Sequence, residues 1–67
     1  MTYCREKASV VVDLIREGHR LTDATFEVGL KVETFCQWVA SNADELAEPF
    51  IRAMQARRAL VEQRIAA

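Results

Sequence analysis

The chain predicts an all-α fold, and three observations carry that prediction. Apolar residues recur at three- and four-residue spacing along most of its length. Val10-Val11-Val12 is the only β-branched run that resembles a strand core. Gly18, Gly29 and Pro49 fall where helices have to stop or start. Together they predict one domain over 1–67. It holds three short helices, with a helix-turn-helix at about 21–40, and a longer C-terminal helix at about 44–66 that serves a dimer.

Each element has its own warrant. The first helix is expected from about Cys4 to Glu17, after a frayed Met1–Tyr3. Ala8, Val11, Val12, Leu14 and Ile15 form its apolar face, and Gly18 ends it from the position after the cap. His19 and Arg20 form a solvated link. Thr22 is expected to cap a second helix, Asp23–Val28, by accepting a free backbone N–H. Gly29 turns the chain through a positive φ, and a third helix follows at Val32–Ala40. Phe35 and Trp38 belong to its buried side.

Ser41, Asn42 and Ala43 read as a loop. The last helix starts at Asp44, where acids complement the dipole, or at Pro49, if the proline occupies a first turn. Leu46, Phe50, Met54, Leu60, Val61 and Ile65 make a stripe along it, with Ala47, Ala53, Ala56 and Ala59 allowing close approach. Three short helices cannot cover a stripe this long. Phe50, Met54, Leu60, Val61 and Ile65 are therefore expected to meet a second copy. A chain this short buries only about 60% of its unfolded surface, which also favours a dimer.

Composition narrows the function. No apolar run approaches the ~20 residues of a membrane span, and the start, MTYCREKAS, lacks an apolar signal core. Both point to the cytosol. Cys4 and Cys36 are expected to be reduced thiols there. With His19 as the single histidine, no metal site or other cofactor is expected. The chain has no Gly-rich phosphate loop and no nucleophile-base pair, so no enzymatic activity is expected.

Charge is unevenly placed. Residues 1–20 are net +1, and residues 51–67 are net +3. Residues 21–50 carry only Lys31 against Asp23, Glu27, Glu33, Asp44, Glu45 and Glu48, net −5. DNA affinity comes mainly from Lys and Arg neutralising phosphates, so this segment repels the polyanion that a reading helix has to approach.

From Val11 to Arg58, about 48 of 67 residues, the chain resembles the N-terminal domain of phage terminase small subunits. Leu14, Gly18, Leu21, Ala24, Gly29, Leu30, Thr34, Phe35 and Trp38 carry the likeness. Phe50, Arg52, Ala53 and Arg57 continue it in FIRAMQARR. The resemblance implies an all-helical fold, a phage or prophage origin in a bacterial host, and DNA recognition. Two departures stand out: Lys31 or Val32 occupies the usual Ser cap, and Gln37 replaces the usual Arg before Trp38. The family's further oligomerisation and large-subunit segments have no counterpart in these residues, so an independent packaging subunit is not expected.

Two functions compete. The charge favours a small regulatory protein that binds and inhibits a host protein with a basic surface, such as a transcription regulator. Its contacts are Glu27, Glu33, Gln37, Asp44, Glu45 and Glu48. The resemblance favours sequence-specific DNA binding, as a repressor or terminase-like recogniser. Lys31, Glu33, Thr34 and Gln37 would then enter the groove, and Arg52, Arg57 and Arg58 would meet phosphates.

Overall fold

The computed structural model describes residues 3–66, with side chains to Gln63. Four helices follow one another: α1 Arg5–Arg16, α2 Leu21–Glu27, α3 Val32–Ala40 and α4 Ala47–Ala66. No strand occurs among the described residues. The all-α expectation holds, and α3 has the predicted bounds. No helix is long and apolar enough to cross a membrane among the described residues.

Both glycines close a helix by the same hydrogen-bond pattern. After α1, Gly18 N–H donates to Ile15 C=O at 2.9 Å and His19 N–H to Leu14 C=O at 3.0 Å. After α2, Gly29 N–H donates to Phe26 C=O at 3.0 Å and Leu30 N–H to Thr25 C=O at 2.9 Å. This double pattern needs a left-handed residue between its two donors. Gly18 at φ 110° and Gly29 at φ 72° supply it.

Thr22 is not the cap of α2. The helix begins one residue earlier, at Leu21, with Arg20 as N-cap and no side-chain hydrogen bond. Leu21 packs on the core from this first turn, which draws the chain into the helix before Thr22. The hydroxyl that matters is that of Thr25, only 1% exposed. It donates to Leu21 C=O at 3.0 Å and lies 3.1 Å from Thr22 C=O, which satisfies it inside the core.

The link from α3 to α4 departs most from expectation. Asp44 and Glu45 do not start the last helix. They lie in a single 3-10 turn, Ala43–Glu45. Asn42, Asp44 and Glu45 all have left-handed φ, at 53°, 50° and 56°. Such conformations are costly for side-chain-bearing residues. Asn42 Oδ1 compensates by accepting the Ala47 N–H at 3.1 Å, which caps α4 from five residues upstream. Pro49 then sits in the first turn of α4, where its missing N–H costs nothing.

The core gathers Ala8, Val11, Val12 and Ile15 of α1 with Ala24, Leu30, Phe35, Trp38, Leu46 and Ala53. Phe35 stands edge-on to Trp38, with centroids 6.4 Å apart, and to Phe50, at 5.5 Å. Tyr3 extends this cluster. Instead of fraying, it meets Trp38 at 5.1 Å, and its hydroxyl lies 3.4 Å from Asp44 Oδ2. Met1 and Thr2 lie outside the described residues.

α1 and α4 run side by side in the same sense. Arg5 pairs with Asp44 at 3.0 Å at one end. At the other, Leu60 Cδ1 would lie 3.8 Å from a Cβ on Gly18. This arrangement uses up much of the α4 stripe, since Phe50 and Met54 pack on the chain's own core. Val61 is half-buried and Leu60 is 37% exposed. Ile65 lies outside the described side chains.

Candidate protein-binding surface

The outer surface of α2, the Gly29 turn and α3 is set by what the inner surface needs. Ala24, Thr25, Leu30, Phe35 and Trp38 turn inward. On α2, Thr22, Asp23, Phe26 and Glu27 are left exposed. At 100° per residue, Asp23 lies between Phe26 and Glu27 on that face. On α3, the exposed residues are Glu33, Cys36, Gln37 and Ala40. Glu33 and Gln37 are one turn apart, so they share a face. Lys31 is exposed just before the helix, as its N-cap residue.

No cation stands on the outer face of α3. Asp23, Glu27 and Glu33 make no ion pair among the described residues; the cations nearest them in the chain are Arg20, the exposed N-cap of α2, and Lys31, the exposed N-cap of α3. Thr34 is half-buried and lies at the margin of the face.

The structure splits the six expected protein contacts into two groups. Glu27, Glu33 and Gln37 lie on the α2–α3 surface. Asp44, Glu45 and Glu48 lie around the α3–α4 link. Asp44 is held by Arg5, and Glu48 pairs with Arg52 at 2.6 Å. Glu45 and Glu48 border a shallow groove with Asn42, Ala47, Ile51 and Gln55. Two of the second group are therefore paired while Glu45 is not, and neither acid of the first group is paired among the described residues.

The three arginines expected on phosphates fall at different phases around α4 within one chain. Arg52 lies about 200° around α4 from Phe50. Since Phe50 meets Phe35 of α3, Arg52 points away from α3. Arg58 pairs with Glu62 at 3.1 Å. Such exposed pairs are worth only about 0.3–0.5 kcal/mol each, so orientation matters more than pairing. Arg57 is seven residues from Phe50 and shares its inward face. It is half-buried, and its Nε is buried without a hydrogen-bond partner.

Phe26 is the residue that the sequence reading missed. It is 81% exposed, more than Ile51 or Val10. The available signal was its phase: Leu21, Ala24 and Val28 mark the inner side of α2, and Phe26 falls outside that spacing.

Cys4 is half-buried and Cys36 exposed, and both are free thiols. No group of three or more metal-ligating side chains occurs among the described residues. Comparison of the chain with protein-family models, with curated proteins and with solved structures finds no match.

Proposed function

We propose that this chain is a small helix-turn-helix regulatory protein that acts by binding another protein, inhibiting a host regulator with a basic surface in a bacterial cytoplasm. One observation carries this reading: the outer surface of α2 and α3 presents Asp23, Glu27 and Glu33 with no ion-pair partner among the described residues, and α3 itself presents no cation. Complementary charge speeds encounter with a cationic polypeptide and disfavours a polyanion. Gln37 adds a neutral hydrogen-bonding group one turn beyond Glu33.

DNA recognition is the competing function. It draws on Lys31 and Gln37, both exposed on the α3 side, and on the resemblance to terminase small subunits. A phage or prophage origin rests on that same resemblance.

The test is affinity capture from host lysate with the wild-type chain and with the triple variant Asp23→Lys, Glu27→Lys, Glu33→Lys. The reading predicts one stoichiometric protein that the variant fails to retain. Retention by the variant, or recovery of DNA alone, contradicts it.

A second copy is the other proposed partner, through the exposed Leu60 and adjacent Val61 near the end of α4. Light scattering at micromolar concentration is expected to give twice the 7.6 kDa chain mass. A mass of one chain excludes this dimer.

A further inference from the structure

We infer that Phe26 is the apolar anchor of the acidic surface, and that its occupant is a basic amphipathic helix offered by a partner protein. The inference rests on the protein-binding reading above and names the chemistry of that partner.

The ring is 81% exposed and contributes nothing to the chain's own core. Its surroundings are open. Gly29, three residues on, is itself exposed, and a Cβ there would meet nothing within 4 Å. Asp23 borders the ring on one side and Thr22 on the other; Glu27 lies beyond Asp23, and Glu33 follows on the neighbouring helix.

An aromatic knob beside carboxylates fixes what can cover it. Burying the ring removes apolar area from water only against an apolar surface. Its acidic neighbours lose hydration on contact unless cations face them. A polyanion offers no cations to face the acids. A helix with an apolar stripe edged by Lys and Arg offers both: four side chains form a hole for the knob, and the rim meets the acids. A short two-helix surface of this size suits a single helix as its contact.

The experiment uses two labelled synthetic helical peptides of equal Lys content, one with a Leu/Ala stripe and one with Gln in its place. Fluorescence anisotropy gives their affinities for the wild type, Phe26→Ala and the double variant Asp23→Lys, Glu27→Lys. The wild type is expected to prefer the Leu/Ala peptide by about tenfold or more, in the range of a binding hot spot. Phe26→Ala is expected to erase that preference while leaving Gln-peptide binding and the thermal midpoint unchanged. The double variant is expected to lose both peptides.

Equal wild-type affinity for the two peptides overturns the anchor. So does an unchanged preference in Phe26→Ala. If either occurs while the double variant still loses both peptides, the acidic-surface reading survives without the anchor. If the double variant binds both as the wild type does, the acidic-surface reading itself fails. A Phe26→Ala variant that weakens binding to duplex DNA and not to the Leu/Ala peptide makes the ring a base-step wedge, and overturns the inference.

Discussion

At the scale of single residues, the fold depends on a few side chains whose surroundings differ from what spacing alone conveys. Phe35 is fully buried and touches both Trp38 and Phe50. Phe35→Ala is expected to cost about 3–5 kcal/mol, enough to abolish cooperative thermal unfolding in a domain this small. Thr22→Ala is expected to be nearly neutral, because Thr22 caps nothing. Thr25→Ala should cost about 1–3 kcal/mol through the lost hydroxyl bonds and packing. Chemical denaturation of the two variants compares them directly.

Tyr3 gives a pH signature. Burial, then Asp44, raises its phenol above the ordinary 10.0. A raised value means that the folded state favours the neutral phenol. The contribution is therefore fully present below pH 10 and is lost as pH rises through the folded-state value. Tyr3→Phe is expected to remove this alkaline loss, as measured by thermal midpoint against pH. Trp38 was legible as core from its spacing with Phe35. Tyr3 was not, because its contact lies 35 residues away and no local pattern announces it.

At the scale of elements, boundaries were most legible where backbone chemistry is local. Gly29 forces the turn, and α3 follows where the apolar spacing resumes. The α3–α4 link was obscure because it contains no glycine: Asn42 was its only sequence mark of left-handed backbone. Glu45 has φ 56° and makes no ion pair among the described residues. Glu45→Gly is therefore expected to stabilise by up to about 1 kcal/mol. Asn42→Gly keeps the left-handed conformation but removes the acceptor for Ala47 N–H. It is expected to cost about 0.5–2 kcal/mol, the range of a lost helix cap. Urea midpoints at fixed pH should separate the two variants in opposite directions.

At the scale of the whole molecule, the parallel packing of α1 on α4 decides how much surface is left for partners. Apolar periodicity identified the stripe on α4 but not its cover, since Phe50 and Met54 are taken by the chain's own core. The candidate site was legible as charge: the acidic middle segment appears in the sequence, and Asp23, Glu27 and Glu33 make no ion pair among the described residues once it folds. The pairing of Asp44 was not legible, because its partner Arg5 is 39 residues away in the chain. The central claim is that this surface rejects nucleic acid. The most direct test is an anisotropy titration of duplex DNA, both of random sequence and from the flanks of the chain's own gene, at about 50 mM salt, where phosphate contacts are strong. The account predicts no binding at micromolar protein. Tight binding that weakens steeply as salt rises would contradict it.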